Sequence, residues 1–563
     1  MKLTGSQILM ECLAEQGVDT VFGYPGGAVL FIYDAIYKNA HRLKHILTSH
    51  EQGAAHAADG YARATGKTGV CIATSGPGAT NLVTGIATAY MDSVPVVFIT
   101  GNVSMDLIGK DSFQEADITG ITIPITKNNY IVKDITKLAD TLREAFAIAK
   151  SGRPGPVLVD IPKNISAETT EYEPATQDKL LSFNARGQKN KEVGDINISE
   201  LAKLIKNSNK PFILCGGGIE IADASSELLT LAEKINAPVS STLMGLGGFP
   251  SSHPQFTGLL GMHGTKASNV ASHKCDLFIA IGTRFSDRVI GDIKKFALDT
   301  KIVHIDIDRA EIDKNVLTYY SVVGDAKEVL SKVLPLIDIK NCVDWLSFIE
   351  SLKLKAKPIE YNKSGSTHLT PYGIMTSIDN ITDDNTIITT DVGQHQLWAA
   401  QYYKYNFPRT FVSSGGFGTM GYGLGAAIGS KLGMPEKSVI HIAGDGSFRM
   451  NCNELATVEH YDLGIITIVF NNGVLGMVRQ WQNKFYEKRF SQTTLDRGPD
   501  FVKLAEAYGI AGYFVDSQEK FDEAFKEALS SGKPAVLNCI LEQDCMVTPM
   551  VAPGTSITNF VLD

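Results

Sequence analysis

Cysteine is scarce in this chain, and basic charge is outweighed by acidic. Eight cysteines are scattered over 563 residues and none forms a CxxC pair. A disulfide framework and a structural zinc site are therefore not expected. Lys and Arg together number 52 against 61 Asp and Glu, a formal net charge of −9. That balance disfavours nucleic acid or an anionic membrane as the main partner. It does not exclude an anionic small substrate, because a pocket sets its own local field. No apolar run approaches the length of a membrane span. The N-terminal stretch MKLTGSQILMECLAEQG reads as an amphipathic helix with acidic residues inside it. It has neither the basic and apolar regions of a signal peptide nor the composition of an Arg/Ser-rich transit peptide. Low-complexity tracts and short-period repeats are absent too. A reducing cytoplasm, leaning to a prokaryotic one, is the compartment these absences predict.

What is there is a rhythm. Short β-branched runs alternate with helical stretches almost throughout: VCIAT, VPVVFIT, PVLVDIP, PFILCGGG, DLFIAIG, IVHIDID, TIITTDVG, VIHIAGDG and IITIVFNN. Such alternation predicts βαβ units and mainly parallel, doubly wound sheets. The length is too great for one core. Two more polar stretches, about Glu171–Asp195 and about Asp338–Thr370, interrupt the pattern. The reading is an α/β protein of three domains, at 1–175, 190–340 and 365–563.

In doubly wound sheets, ligands sit beyond the carboxyl ends of the strands. The run VIHIA ends in Gly444-Asp445-Gly446, and IITIVF ends in Asn471-Asn472. The glycines permit a tight turn and close approach by a diphosphate. Asp445 and the Asn472 amide offer two hard oxygen ligands for Mg²⁺, which completes its octahedron with phosphate oxygens and water. A helix expected at roughly Cys452–His460 would point its N-terminus at the same place. A lone Gly-Asp-Gly is an ordinary turn; its pairing with Asn-Asn across one βαβ unit is what stands out. In SHEQGAAHAADGYARATG, Glu51 falls at a strand-to-helix junction, where the helix dipole favours a first-turn glutamate. Two motifs nearby fail on spacing. His50 and His56 are six apart, not the four that one helical face requires for zinc, and Gly60 and Gly66 enclose five residues where a phosphate-binding P-loop has four.

Gly-Asp-Gly followed some two dozen residues later by Asn-Asn resembles the signature of thiamine-diphosphate enzymes. More narrowly, FGYPGGA (Phe22–Ala28), TSGPGATN (Thr74–Asn81), SFQE (Ser112–Glu115), GRPGPVLVDIP (Gly152–Pro162), LGMHGT (Leu260–Thr265), GTRFSDRV (Gly282–Val289), GQHQ (Gly393–Gln396), GTMGYGLGAA (Gly418–Ala427) and GMVRQW (Gly476–Trp481) look like the acetohydroxyacid (acetolactate) synthase family, catalytic subunit. The match runs in order over nearly the whole chain, which fold-level similarity alone does not explain.

The resemblance implies condensation of two 2-ketoacids on thiamine diphosphate. Pyruvate loses CO₂ and its remaining two-carbon unit adds to a second pyruvate or to 2-ketobutyrate, as in valine, leucine and isoleucine biosynthesis. It further implies a site that protects this carbon from protonation. By matching positions, Asp445, Asn472 and the Val474 carbonyl would hold Mg²⁺. Glu51 would activate the cofactor's aminopyrimidine. Met420 would wedge beneath it, where residue type alone gives only a core methionine. Pro25, Gly393, Gln394, His395, Gly418, Gly444, Gly446, Ser447, Leu475, Gly476 and Met477 would complete the thiamine diphosphate site. Gly27, Phe113, Gln114 and Lys127 would line the reacting centre; by composition alone, Lys127 is a solvated surface lysine. Arg288 and Trp481 would select the second ketoacid, with the guanidinium on its carboxylate and the indole edge beside the extra methyl. Arg153, Gly216, Gly217, Gly218, Thr242, Leu243, Met262, His263, Gly264, Gly282, Arg284, Asp306, Ile307 and Asp325 fall on positions that contact a structural FAD. Ser286 stands where the family often has aspartate, which leaves the strength of FAD binding open. A homodimer or homotetramer with sites shared between subunits, and a small regulatory subunit, are implied by the same resemblance. The rivals are a catabolic acetolactate synthase, a thiamine-dependent decarboxylase or pyruvate oxidase, a non-catalytic scaffold, and a nicotinamide dehydrogenase, for which the glycine fingerprint is missing.

Overall fold

The structure, a computed structural model, describes residues 1–187, 194–355 and 369–562. Three six-stranded sheets carry the chain, and every strand pair within them is parallel. The central strands are Gly69–Ala73 and Val96–Asn102 in the first sheet, Pro211–Cys215 and Leu277–Ile281 in the second, and Val439–Gly444 and Ile465–Asn471 in the third. Helices cover both faces, so these strands are buried almost end to end and read as continuous apolar runs. All nine runs singled out in the sequence are strands. The strands outside those nine runs are mostly short or half-exposed, such as Asn128–Ile131 and Ala511–Val515. Ala535–Ile540 is the exception, a buried strand paired on both sides. The N-terminal reading needs one correction. Lys2–Thr4 is a strand paired antiparallel with Thr169–Glu171, and the helix, Gly5–Glu15, starts after it with Thr4 as its cap. The domain boundaries at 190 and 365 lie outside the described residues.

The first and third sheets share one strand order, and their central elements correspond at nearly one sequence spacing. Val96–Asn102 matches Ile465–Asn471 residue for residue, and helix Val83–Asp92 matches the helical stretch beginning at Cys452. Two equivalent helices, Glu51–Thr65 and Gly423–Gly433, pack directly on each other between these sheets. The contact is made by residues too small to hold the backbones apart. A Cβ on Gly60 would stand 2.2 Å from the Ala426 carbonyl oxygen, and one on Gly429 would stand 1.8 Å from that of Ala57. These two contacts are mirror partners under the internal repeat. The second sheet is tied in by Arg409, whose guanidinium donates to the carbonyls of Arg63 (3.0 Å) and Glu220 (3.1 Å). Arg153 makes a further tie, donating to Ser93 Oγ (2.8 Å) and pairing with Glu311 (2.7 Å).

Candidate active site

In the third sheet the strand order reverses between Ile387–Thr390 and Val439–Gly444, and the crevice beyond a reversal is where doubly wound sheets bind ligands. The loop after Ile387–Thr390 carries Gly393, Gln394 and His395. The turn after Val439–Gly444 carries Asp445, Gly446 and Ser447, and Ile465–Asn471 leads into Asn472 and Val474. The structure brings all of these together. A Cβ on Gly444 would stand 2.8 Å from His395 Nδ1. One on Gly446 would meet Leu475 Cδ2 at 2.7 Å and Met420 Cε at 4.0 Å, and one on Gly476 would meet Gln394 and Asn472. Asn472 Nδ2 donates to Gln394 Oε1 at 3.3 Å, while Asn472 Oδ1 accepts from the Val474 N–H at 3.2 Å. Gln394 is fixed in turn, donating to Gln480 Oε1 and the Cys545 carbonyl. Gly393 takes a φ of 154° and Gly418 one of 69°, and Gly473, at 68°, faces open space.

Two groups in this cluster lack a counterpart among the described residues, one a cation and the other a hydrogen-bond donor or acceptor. Asp445 is 2% exposed and makes no ion pair. Burial pushes its carboxyl up to about 6 against hydrogen bonds from the N–H groups of Gly446 and Gly473. His395 is buried and its Nε2 has no hydrogen-bond partner. Burial lowers its pKa to about 4, so the ring is neutral at pH 7. A buried carboxylate without a cation and a buried imidazole nitrogen without a partner fit a metal and a diphosphate. The helix that faces this place is not the one expected. It starts at Asp445 itself and runs to Asn451, with Ser447 Oγ closing on the Gly444 N–H at 3.1 Å. Small residues following a β-branched run masked a strand that turns directly into a helix. Among the described residues there is no metal-binding cluster of three His, Cys, Asp or Glu side chains, and Mg²⁺ needs none, because phosphate and water supply most of its ligands.

The first sheet reverses between Thr20–Gly23 and Gly69–Ala73, and its crevice collects a second set of residues. Glu51 is the first residue of its helix, 9% exposed, and its Oε2 accepts from Asn81 Nδ2 at 2.9 Å. Thr74 and Gly78 lie alongside: a Cβ on Gly78 would be 3.2 Å from Glu51 Oε1. Thr74 also fills the space beside Gly26 and accepts from the Ala28 N–H, leaving Pro25 and Gly27 exposed at the crevice mouth. Gln114, at a φ of 59°, packs its backbone against Gly76, and Phe113 beside it is 87% exposed. Lys127 sits elsewhere. Its ammonium donates to the Ile148 carbonyl and to Ser151 O (2.6 Å), at the end of helix Leu138–Lys150, and burial lowers its pKa to about 8. Among the described residues no hydrogen bond joins Lys127 to Gln114, or Glu51 to Asp445, Asn472 or Met420. Sequence reasoning missed Asn81, whose only signal was its place closing the TSGPGATN motif.

Arg288 and Trp481, far apart in sequence, meet. The guanidinium carbon lies 5.7 Å from the indole centroid, a cation–π distance, with Arg288 Nη1 also 3.7 Å from Met262 Sδ. Met262 is held by backbone bonds to Arg288 and Val551. The FAD-assigned residues, Arg153 apart, all follow the carboxyl ends of the second sheet's strands. Gly216 and Gly218 touch Gly282 across the strand-order reversal, where side chains on either would collide. Thr242 and Leu243 follow Val239–Ser241; Met262, His263 and Gly264 follow Phe256–Leu259. Arg284 reaches the backbone of Gly416. Asp306 accepts from the Asp308 N–H at 2.8 Å with Ile307 half-buried between them, and Asp325 caps helix Ala326–Val333.

Three family models of thiamine pyrophosphate enzymes match the chain in order. The N-terminal binding domain covers residues 3–121, the central domain 198–333, and the C-terminal binding domain 391–539. A probable acetolactate synthase large subunit of Methanocaldococcus jannaschii is 48% identical over 99% of this chain and 95% of its own length. Acetolactate synthase of Mycobacterium leprae is 45% identical (99% and 90%), and the large subunit from Buchnera aphidicola subsp. Schizaphis graminum 44% (100% and 98%). The chain belongs to the acetolactate synthase family. It is a thiamine-diphosphate-dependent enzyme of the large-subunit type, and the crevices of its first and third sheets fall within the two cofactor-binding domains of that family.

Proposed function

We propose that the two crevices form one active site when two copies of the chain associate, the first sheet of one facing the third sheet of the other. Apolar side chains exposed around both crevices support this reading: Phe113, Ile121 and Ile123 on the first side, Phe417 and Met450 on the third. Thiamine diphosphate, when bound, supplies a carbon nucleophile that adds to pyruvate and stabilises the charge left by CO₂. The chain's residues do the rest. Asp445, Asn472 and the Val474 carbonyl would hold Mg²⁺, and His395 Nε2 would offer the diphosphate a further partner. Glu51 holds and returns a proton at the aminopyrimidine. Gln114 donates to the oxygen that gains charge. FAD would lie along the strand ends of the second sheet in a structural role. A small regulatory subunit is part of the same reading, as is a cytoplasmic location; among the described residues no helix is long and apolar enough to cross a membrane.

The observation that carries the ligation step is Arg288 stacked on Trp481. A guanidinium fixed on an indole face presents a carboxylate-binding fork beside an apolar surface. That suits a second 2-ketoacid, whereas a simple decarboxylase has only a proton to deliver. Purified chain with pyruvate, thiamine diphosphate, Mg²⁺ and FAD is expected to yield acetolactate, and none when thiamine diphosphate is left out. Acetaldehyde or acetyl phosphate as the product would instead identify a decarboxylase or an oxidase. Trp481→Leu removes the apolar wall for the extra methyl. In mixtures, preference for 2-ketobutyrate over pyruvate should fall about tenfold, the ~1–3 kcal/mol that one methylene is worth in such a pocket. An unchanged product ratio would move the selectivity to another residue.

A further inference from the structure

Glu454 is fully buried, no cation among the described residues pairs with it, and it reaches out of the third-sheet unit to the junction that presents Glu51. Its Oε1 accepts from the His50 N–H at 3.0 Å and its Oε2 from the Ser49 N–H at 3.1 Å. Thr457 Oγ1 donates to Oε2 at 2.6 Å and fixes the carboxylate's orientation. Ser49 Oγ bonds the carbonyl of Asn453 beside it, at 2.9 Å. Gly53, in the first turn of the Glu51 helix, has to be glycine here, since a Cβ would stand 2.1 Å from Glu454 Oε1. The two residues immediately before Glu51 are thus gripped by a carboxyl group from the other side of the internal repeat.

The repeat shows that this grip is additional to the packing of the two units. Tyr461 and Asp92 occupy equivalent positions, and each holds the end of the opposite unit's strand: Tyr461 Oη accepts from the Leu47 N–H at 2.8 Å, and Asp92 from the N–H groups of Gly415 and Gly416 at 2.9 and 2.7 Å. The position equivalent to Glu454 is Gly85, which has no side chain to hold anything and packs on Ala55. Packing alone therefore asks for no carboxylate there. It appears only on the side where the opposing helix begins with Glu51.

We propose that Glu454 is a positioning residue for Glu51, fixing the backbone from which that carboxylate addresses the cofactor. The proposal rests on Glu51 acting at the aminopyrimidine. Two separate backbone donors need two acceptor oxygens, which glutamate has and glutamine lacks, since its amide would turn an N–H toward an N–H. Small displacements of a reacting group cost rate steeply while leaving binding contacts intact.

The test compares wild type, Glu454→Gln and Glu51→Gln as holoenzymes with thiamine diphosphate and Mg²⁺. Deuterium exchange at the cofactor's C2 is followed by quenched NMR, beside kcat and KM for pyruvate and the affinity for thiamine diphosphate. In Glu454→Gln, exchange and kcat should both fall about tenfold, with KM and cofactor affinity within about twofold of wild type. Thr457→Val loosens the carboxylate without removing it. It should shift exchange in the same direction by a smaller factor, and it gives the same reading if Glu454→Gln folds poorly. Exchange and kcat at wild-type values, or cofactor affinity lost in proportion to kcat, would overturn the proposal and leave Glu454 as a bond between units. Wild-type exchange in Glu51→Gln would overturn the role of Glu51 itself, and this proposal with it.

Discussion

Glu51→Gln should lower kcat by about a thousandfold, within the range typical of removing a positioned general acid or base. The substitution is nearly isosteric, and its carbonyl oxygen can still accept from Asn81, which bonds Glu51 Oε2 at 2.9 Å. The helix start, the Thr74 and Gly78 contacts and the packing of Gly60 and Gly429 are untouched. What is lost is a group able to take up and return a proton. Affinity for thiamine diphosphate and KM for pyruvate should therefore change little, and the C2 exchange rate should fall with kcat. Steady-state kinetics alongside exchange decides the matter. A variant with near-wild-type kcat would place the proton transfer on another group.

Asp445→Asn should abolish turnover at physiological Mg²⁺ by removing the one carboxylate among the three proposed metal ligands. The apo protein should melt at or above the wild-type temperature, because a buried charge without a cation has been removed. The stabilisation that Mg²⁺ with thiamine diphosphate gives the wild type should be missing. Calorimetry with and without both ligands distinguishes this from simple misfolding. The same carboxyl sets a pH dependence. Its folded pKa, about 6, lies above the ordinary value of 3.8 because burial disfavours the charge. In the apo protein the ionised group is a penalty that is full above about pH 6 and is relieved as pH falls toward 4. Metal binding requires the ionised form, so Mg²⁺ affinity should be level above pH 6 and weaken about tenfold per unit below it. Titrations at fixed ionic strength from pH 5 to 8 would show this, and affinity independent of pH across that window would remove Asp445 from the ligand set.

Much of the candidate site was legible because its chemistry is local. Strands buried on both faces have to be continuous apolar runs, so VIHIA and IITIVF announced themselves, and whatever follows a parallel strand lies at the binding edge. Asp445 and Asn472 could thus be paired from sequence. Glu51 was placed at a helix start by the change from a strand-like run to a helical period. Boundaries were less legible. A helix was expected from Cys452 but begins at Asp445, since Gly-Asp-Gly-Ser reads equally as a turn or as the first turn of a helix.

Contacts between elements distant in the chain left no trace in the sequence. Nothing around Glu454 or Asn81 marks either as a partner of the Glu51 junction, and nothing around Lys127 says that its ammonium caps the helix ending at Lys150. The sequence by itself determined the class of sheet, the order of the strands' chemical endings and the family. The tertiary structure decided that Arg288 lies on Trp481, that His395 packs against Gly444 with its Nε2 left unpartnered, and that a carboxylate from one half of the internal repeat grips the other. The physical reason is range. Burial pattern and backbone conformation act over a few residues and are written in composition, whereas the hydrogen bonds and close glycine contacts that join two sheets depend on how their helices cross, and many sequences satisfy the same crossing.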